Sequence, residues 1–445
     1  MVRIAAVAIP FVVVIAVFSA CGGNGSSTED GGSDASTDSG VDASVDGGVD
    51  AGEDGGPSHE AVDVSAGVFH TCAVIDGGDV KCWGYQQFGA LGYGLDLEAY
   101  PGADTSMPST LPFVDIGSPV SVIEASYYFT CALFESSEVL CWGFNSAGQL
   151  DQMTEYEYTG AFDVPADYAP IALEGPVAQI SAGGGHACAL MESGVLMCWG
   201  NNGDGQLGDG NGGIEHHSYI PVVAQVGDVV VQVSAGAGHT CAVLENGDVL
   251  CWGLGVLLGY GNTENVGDDE VPADVGPVDL GGPAVQVSAG AYHTCALLES
   301  GDVLCWGLGD NGELGYGNTD TIGDDEVPAS IGPVDVGAPV VEVATGERIT
   351  CVRLEGNDVK CWGAIACGLG YIVGDDETPA SAETVPLGGK AVQLSAGSYH
   401  VCALMEDGGV RCWGVDSAGD LGYGPDVDYV GDNETPAEMG DVQLF

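Results

Sequence analysis

The sequence has very little positive charge. Its 445 residues include 7 Lys+Arg against 66 Asp+Glu, which gives a formal charge of -59 at neutral pH. Proteins that bind DNA or RNA need clusters of Lys and Arg to neutralise phosphates. The composition therefore argues against nucleic acid as a partner. The same sign of charge also opposes direct adsorption to anionic lipid surfaces.

Motifs typical of enzymes are missing as well. The sequence holds no nucleophile-base motif, no Gly-rich phosphate loop followed by Lys, and no His-rich metal motif. No stretch shows helical periodicity of useful length. These absences favour an all-β protein that is not an enzyme and needs no cofactor.

What the sequence does contain is a repeated unit, clearest at residues 293–307, HTCALLESGDVLCWG. Seven copies each carry two cysteines ten positions apart, with a Trp directly after the second. Zinc sites use closer spacings, so we expect a disulfide within each copy and an oxidising compartment. The expected bonds join Cys72 to Cys82, Cys131 to Cys141, Cys188 to Cys198, Cys241 to Cys251, Cys295 to Cys305, Cys351 to Cys361 and Cys402 to Cys412.

The unit reads as a β-hairpin. Gly301 stands third in a three-residue loop, where a hairpin needs a residue with positive φ. This loop pairs Leu297 with Val303 and Cys295 with Cys305. The cysteines then occupy a non-hydrogen-bonded pair with α-carbons about 4.5 Å apart, a separation that a disulfide can bridge. Both faces of the hairpin are apolar, so we expect it to be covered on both sides.

The N-terminal 20 residues predict a signal peptide of the lipoprotein type. The apolar run from Ile4 to Phe18 is shorter than a membrane-spanning helix requires. The four residues ending in Cys21 resemble a bacterial lipobox, in which the Cys is lipidated and becomes the mature N-terminus. An ordinary secretory peptide is the alternative. Residues 21–60, rich in Gly, Ser and Asp, predict a disordered linker. The expected location is the bacterial envelope, at the outer membrane or cell surface, with membrane contact only through the lipid.

Residues 61–445 predict a seven-bladed β-propeller. Each copy of the repeat contains four short apolar segments separated by Gly-rich turns, with 333–336 as the fourth segment of one copy. Four-stranded units repeated seven times are typical of propellers. The C-terminal residues 440–445 align with that fourth segment, so we expect the last strand to complete the first blade and close the ring.

The repeat also carries a family resemblance. Copy three shows Ser181-Ala182-Gly183, His186, Trp199-Gly200 and Gly205-Gln206-Leu207-Gly208. This pattern resembles the repeat of the regulator of chromosome condensation family throughout the region after the linker. The resemblance implies the same seven-bladed fold. It also implies an alternative function, because the family's namesake is a guanine-nucleotide exchange factor for a small GTPase.

Three segments that depart from the repeat predict partner-binding loops, at residues 95–112, 151–170 and 212–221. Aromatic residues on loops held by a rigid scaffold are typical of binding surfaces. We therefore expect a protein or cell-surface ligand on one face of the disc. Loops that have drifted without a partner, and a lyase or hydrolase acting on polysaccharide, are the alternatives. The candidate residues are Tyr100, Tyr156, Tyr158, Phe162, Tyr168, His216, His217 and Tyr219.

Two further patterns are open to a metal interpretation. Five copies have a His two positions before the first Cys, which we interpret as a structural residue bonded to turn backbone. Several copies also carry an acidic loop, for which a solvated turn is favoured and calcium is a weaker alternative. The histidines are His70, His186, His239, His293 and His400, and the calcium candidates are Asp268, Asp269, Glu270, Asp324, Asp325 and Glu326. Cys367 has no partner in the pattern.

Overall fold

Residues 60–94, 107–150, 158–161, 163–213, 216–364 and 371–445 are described by a computed structural model. Within those ranges the helices are single turns, and none has the length or the hydropathy for a membrane crossing. The signal-peptide and linker predictions, Cys21 and Cys367 lie outside the described residues.

The described strands form seven antiparallel sheets, one per repeat, which are the predicted blades. In every blade the first strand lines the central channel of the propeller, and we call it the inner strand. The second strand is almost wholly buried, and the third carries the buried Trp. The strands of blades 1 to 3 are β1 (Ala61–Ala66), β2 (His70–Ile75), β3 (Val80–Gly84); β4 (Val120–Ala125), β5 (Phe129–Phe134), β6 (Val139–Phe144), β7 (Tyr158–Thr159); and β8 (Val177–Ala182), β9 (His186–Met191), β10 (Leu196–Asn201), β11 (His217–Val223).

Blades 4 to 7 repeat the arrangement. Short helices α1 (Pro272–Val275), α2 (Pro328–Ile331) and α3 (Pro436–Met439) lie outside the third strands of blades 4, 5 and 7. The strands are β12 (Val230–Ala235), β13 (His239–Leu244), β14 (Val249–Gly253); β15 (Ala284–Ala289), β16 (His293–Leu298), β17 (Val303–Gly307); β18 (Val340–Thr345), β19 (Ile349–Leu354), β20 (Val359–Gly363); and β21 (Ala391–Ala396), β22 (His400–Met405), β23 (Val410–Val415), β24 (Tyr429–Val430).

The hairpin register predicted from the sequence is confirmed. Cys295 faces Cys305 and Leu297 faces Val303, and Gly301 has φ 83°. Where the third loop position is not Gly, Ser137 and Asn357 take the same left-handed conformation. The turn therefore sets the register, and the register brings the two sulfurs of each hairpin together.

All seven cysteine pairs are bonded as the spacing predicts. Their α-carbons lie 4.0–4.1 Å apart, somewhat closer than the expected separation, because the bond draws the two strands together. Each bond stays within one blade and joins its second strand to its third. The bonds are Cys72 to Cys82, Cys131 to Cys141, Cys188 to Cys198, Cys241 to Cys251, Cys295 to Cys305, Cys351 to Cys361 and Cys402 to Cys412.

The prediction of a regular fourth strand at residues 333–336 is wrong. This segment contributes one ladder bond, from the Val334 N–H to the Val303 carbonyl, 2.8 Å. The Tyr316 hydroxyl lies between this segment and the third strand. It accepts the Cys305 N–H at 3.2 Å and lies 3.2 Å from the carbonyls of Cys305 and Gly332, so the backbone groups that a longer ladder needs are already occupied. The outer edge of this blade is completed instead by an isolated bridge between Gly307 and Ile322.

The predicted exchange of a strand between the last and first blades is also wrong. Val442 donates its N–H to Val410 in blade 7, so the C-terminal segment pairs with its own blade. Towards blade 1 it makes a ring contact, with Phe445 6.2 Å from Phe113. The ring closes through a bond that also links other blades. The first residue of an inner strand donates to the hairpin loop of the preceding blade, and Ala61 donates to Gly408 at 2.9 Å.

The repeated histidines join neighbouring blades. Each His Nε2 lies 2.7–2.9 Å from a Thr hydroxyl of the next blade. The structural interpretation is thus supported, but the partner is a Thr and not turn backbone. The pairs are His70–Thr130, His186–Thr240, His239–Thr294, His293–Thr350 and His400–Thr71.

The two blades without His show that the pair behaves as a unit. Phe129 replaces His in blade 2, and the Thr position of blade 3 is then Ala187. Ile349 replaces His in blade 6, and the Thr position of blade 7 is Val401. Losing only one partner would leave a buried polar atom unsatisfied, at a cost of about 1–3 kcal/mol. Both partners are accordingly apolar in the same two junctions.

The Thr hydroxyl and the Trp indole share an acceptor in the preceding blade. Thr240 and Trp252 both donate to the Gln206 carbonyl, each at 2.9 Å. Because the Thr proton is directed to that carbonyl, His186 must donate from Nε2 to the Thr240 oxygen. The Trp bond recurs at Trp83, Trp142, Trp199, Trp306 and Trp362, with N···O distances of 2.8–3.0 Å.

The paired nature of the junction predicts coupling between its members. His239→Ile and Thr294→Val should each lower the free energy of unfolding by about 1–3 kcal/mol, because each leaves a buried partner unsatisfied. The double variant reproduces the apolar junction of Ile349 and Val401. Its loss of unfolding free energy should be about 1–2 kcal/mol smaller than the sum of the losses in the two single variants. Urea denaturation measures all three, with His216→Ile at an exposed position as control. Strictly additive losses would contradict the pairing.

The same junction predicts a pH dependence. Burial lowers the pKa of His239 to about 3, with smaller contributions from His186 and His293. The unfolded chain has the ordinary value near 6.5 and binds the proton first. Stability from this group is therefore full above pH 6.5 and is lost as the pH falls towards 3, by up to about 1.4 kcal/mol per pH unit.

The double variant His239→Ile with Thr294→Val should accordingly lose less stability than wild type between pH 6 and pH 4, in denaturation measured at each pH. Phe129→Leu changes an equivalent ring position without a titrating group, so its curve should stay parallel to wild type. Parallel curves for all three proteins would show that His239 does not titrate as a buried group.

Candidate interaction face

Two kinds of loop meet at one end of every blade. His70 pairs with Gly84 across the ladder, so the residues before the His and those after the Trp-Gly pair lie together. The Tyr85 N–H donates to the Phe69 carbonyl at 2.8 Å and fixes this contact. We call this end of the blades the loop face. The disulfide-braced hairpin turns lie at the opposite end.

The two residues before the His position vary between blades, while their backbone contacts recur. The first residue of the dipeptide donates its N–H to a carbonyl of the next blade, as Ala291 does to Gly346 at 3.1 Å. The backbone frame is therefore shared, and the side chains on it differ. In blade order the dipeptides are Val68-Phe69, Tyr127-Tyr128, Gly184-Gly185, Ala237-Gly238, Ala291-Tyr292, Glu347-Arg348 and Ser398-Tyr399.

Aromatic rings gather on the loop face of blades 1 and 2. The Phe69 ring stacks on Tyr128 at 5.8 Å, and Phe88 lies 5.4 Å from Tyr128 and 4.8 Å from Phe144. All are half-buried. The aromatic cluster comprises Phe69, Tyr85, Phe88, Tyr128, Phe144 and Tyr158. Half-exposed rings held by one another offer a large contact area at little entropic cost, which is typical of binding hot spots.

Phe88 holds its place in the cluster with an unusual backbone. Its φ is 63°, a left-handed conformation that a bulky residue adopts only at a cost. The equivalent residues of blades 2 and 3, Ala147 and Asp204, do not share it within the described part of the chain. The strain is offset by the contacts that the ring makes with Tyr128 and Phe144.

A second group of aromatic residues lies where the central channel opens on the loop face. The Arg348 guanidinium lies 5.4 Å from the Tyr292 ring centre and 3.9 Å from a Glu347 carboxylate oxygen. The Ser398 hydroxyl donates to the same carboxylate. Tyr127 and Glu347 line the same cavity, and burial, followed by the charges of Glu347 and Tyr292, raises the pKa of Tyr127 above its usual range. We call Tyr127, Tyr292, Glu347, Arg348 and Tyr399 the channel mouth.

The channel beneath the mouth is a polar cavity of about 260 Å³. It is lined by the inner strands, and five of these carry a Ser at the fifth position. Each of these hydroxyls accepts an N–H from the next blade, as Ser65 does from Ala125 at 2.9 Å. Blade 2 carries Glu124 at this position instead, and blade 6 carries Ala344.

The structure places the described members of the predicted partner-binding set in blades 2 and 3, and their binding role stays a prediction. Tyr100, Tyr156 and Phe162 lie outside the described residues. Tyr158 belongs to the aromatic cluster, whereas the Tyr168 hydroxyl donates to the Asp163 carboxylate and its ring packs on the core. His216 precedes the exposed outer strand β11 of blade 3, which carries His217 and Tyr219 with their rings 4.9 Å apart.

The acidic loops occupy equivalent places in their blades. Each follows a residue paired with the third strand and precedes a Pro that opens a short helix. Partial burial and the neighbouring carboxylates raise the pKa of Glu270 and of Glu326. Calcium binding at these loops stays a prediction. Carboxylate oxygens lie within 4.8 Å of one another in three trios: Asp268, Asp269 and Glu270; Asp324, Asp325 and Glu326; and Asp375, Asp376 and Glu377.

Most of the aromatic cluster and of the channel mouth was missed by the sequence reasoning, which sought binding residues where the repeat is interrupted. Tyr128, Tyr292 and Tyr399 instead stand inside the repeat, at positions the pattern treats as free. The signal was present in the variation of the dipeptide before the His, which runs from Gly-Gly to Tyr-Tyr.

Seven blades with this frame and this loop face define a β-propeller of the regulator-of-chromosome-condensation type. The RCC1-like domain matches residues 94–443, and the regulator of chromosome condensation (RCC1) repeat matches residues 61–90. The chain belongs to this family.

Known proteins agree with that assignment. The ultraviolet-B receptor UVR8 of Arabidopsis thaliana is 30% identical over 379 residues, covering 84% of this chain and 81% of the receptor. Human WBSCR16 superimposes with a TM-score of 0.62 at 18% identity, covering 78% of this chain and 87% of that one. Yeast RCC1 (Prp20), solved bound to Kap60, superimposes with a TM-score of 0.57 at 21% identity, covering 75% and 77% of the two chains.

Proposed function

We propose that this protein is a non-enzymatic scaffold that binds a protein partner on its loop face, outside a bacterial cell, while a lipid on Cys21 holds it to the envelope. The observation that carries the binding role is the aromatic cluster of blades 1 and 2. Six rings share one patch, and one of them, Phe88, sits on a strained backbone. Strain of this kind persists where a side chain is needed in one place.

The extracytoplasmic location is supported by two independent features. Seven disulfides brace hairpins across all blades, and such bonds persist in oxidising compartments. The apolar run before Cys21 and the low-complexity linker after it suit secretion followed by tethering. For the two alternative functions, guanine-nucleotide exchange and polysaccharide cleavage, we identify no specific feature among the described residues of the loop face that favours either.

The lipid anchor predicts that metabolic labelling with alkyne-palmitate marks the protein and that Cys21→Ala abolishes the label. Inhibition of the lipoprotein signal peptidase should make the unprocessed precursor accumulate. Cys367→Ala, which removes the other cysteine that has no partner in the repeat pattern, should leave both results unchanged. A Cys21→Ala protein that still carries palmitate would place the anchor elsewhere.

The binding role predicts position-specific crosslinking on intact cells. A photoreactive phenylalanine in place of Tyr128 should form discrete adducts with an envelope protein. The same group in place of Val195, which is 43% exposed at the opposite end of blade 3, should not. Phe88→Ala with Phe144→Ala should remove the Tyr128 adducts, because the patch that orients the partner is lost.

Thermal melting of each variant shows whether the fold is kept. Adducts of equal yield from the Tyr128 and Val195 positions, or adducts that survive the double Ala change, are incompatible with a partner on the loop face.

A further inference from the structure

One carboxyl group in the channel breaks the pattern of the ring. Glu124 occupies the fifth position of the inner strand of blade 2, where five other blades have Ser. Those hydroxyls link neighbouring blades, as Ser234 does by accepting the Ala289 N–H at 2.9 Å. A Ser at position 124 would serve the frame equally well. The larger acidic residue therefore has a reason other than blade packing.

The Glu124 carboxyl lacks a partner of its own. It lines the channel cavity, and no hydrogen bond or ion pair within the described ranges engages it. The neighbouring Asp63, by contrast, accepts from the Ile123 N–H at 2.8 Å and from Gln393 at 2.7 Å. Burial, and then the charge of Asp63, raise the pKa of Glu124 to about 8. A carboxyl held in this way is stabilised by any cation that reaches it.

The route to Glu124 passes the channel mouth. Tyr127 follows three residues later, in the bend just after β4 ends at Ala125, and both Tyr127 and Glu124 line the cavity. Tyr127 lines the cavity, and Tyr292 and Tyr399 each directly follow a residue that lines it. Aromatic faces attract ammonium and guanidinium groups. Arg348 over the Tyr292 ring shows this contact within the chain itself.

The remaining charges of the channel do not supply the missing counter-ion. Glu342 is paired with Arg353 at 2.7 Å, and Glu347 with Arg348 at 3.9 Å. Lys81 and Lys360 are buried and donate to backbone carbonyls near the outer edge of their blades. Arg411 and Lys390 are paired with Asp441 and Glu406. The formal charge of -59 steers cations towards the molecule as a whole.

We propose that the channel mouth accepts a Lys or Arg side chain from a basic segment of the protein partner, with the tyrosine faces around its stem and the Glu124 carboxylate as its counter-ion. This assignment rests on the proposed protein-binding function and names the chemistry of the partner. The Tyr-lined opening gives affinity for the side chain, and the carboxyl selects its charge.

Glu124→Ser provides a sharp test, because it installs the residue that five other blades carry and should not reduce the melting temperature. The probe is a fluorescent hexa-arginine peptide, with hexa-citrulline as the neutral match, followed by anisotropy at about 0.15 M salt. Glu124→Ser should weaken hexa-arginine binding at least tenfold. Asp269→Asn removes one exposed acidic charge at the blade rim and should change binding less than twofold. Equal weakening by the two variants overturns the proposal, since it would mean non-specific attraction.

The pH profile is a second readout. Binding must displace the Glu124 proton, so wild-type affinity should rise between pH 6 and pH 9, and the Glu124→Ser profile should be nearly flat by comparison. Asp63 acts directly on this carboxyl, and Glu342 and Glu347, which line the same cavity, are paired with Arg353 and Arg348; all of these groups persist in the variant. Identical profiles overturn the role of Glu124.

The outcomes separate the two proposals. If the Tyr128 position gives crosslinks but Glu124→Ser does not change hexa-arginine binding, a partner binds the loop face and no basic side chain of it enters the channel. Should Glu124→Ser lower the melting temperature, Glu124→Gln, which keeps the size of the side chain, decides the same question.

Discussion

The rest of the molecule depends on the junction between blades, where a Thr hydroxyl and a Trp indole donate to one backbone carbonyl and a His bonds that Thr. The carbonyl comes from one blade, and the Thr hydroxyl and Trp indole that bond it come from the next. All seven Trp side chains are fully buried. A blade alone cannot cover its two apolar faces, so stability arises from the contacts between neighbours. The bonds of the junction orient those neighbours and set their angle about the channel.

This frame separates structural from functional positions within a single repeat. His, Cys and Trp serve the junction and the hairpin, while the two residues before the His contribute backbone bonds that any side chain permits. Variation there leaves the frame intact, and the chain uses it to place Tyr127, Tyr128, Tyr292 and Tyr399 on the loop face. The rigid scaffold therefore keeps these rings in register without a dedicated loop.

Much of the fold could be predicted from the sequence, because the repeat reports both period and register. Gly301 fixed the turn, and the turn fixed the cysteine pairing. The partners of His and Thr could not be inferred, since they lie 54–60 residues apart in neighbouring copies or at opposite ends of the array. The fourth strand failed because a side chain, the Tyr316 hydroxyl, occupies the Cys305 backbone groups that the ladder would need, and periodicity does not report such a contact.

Prediction of the site was weaker for a related reason. Composition marks residues such as His217 and Tyr219 as unusual, yet says nothing of which blades face one another across the channel. Tyr127 and Glu347 come together only because seven blades close into a circle. The isolation of Glu124 became visible only when the bonds of its Ser counterparts were known.

The pairing of Val442 within its own blade has an evolutionary consequence. Among the described residues, each sheet takes its strands from a single repeat, so the contact between blades 7 and 1 differs from the other inter-blade links only in having no covalent connection. New termini placed at another inter-blade link would leave all seven sheets intact, and a gene that gains or loses one repeat exchanges a complete module without leaving an orphaned strand. Recombination of whole repeats can then change the dipeptides displayed on the loop face, while the backbone frame of the propeller stays the same.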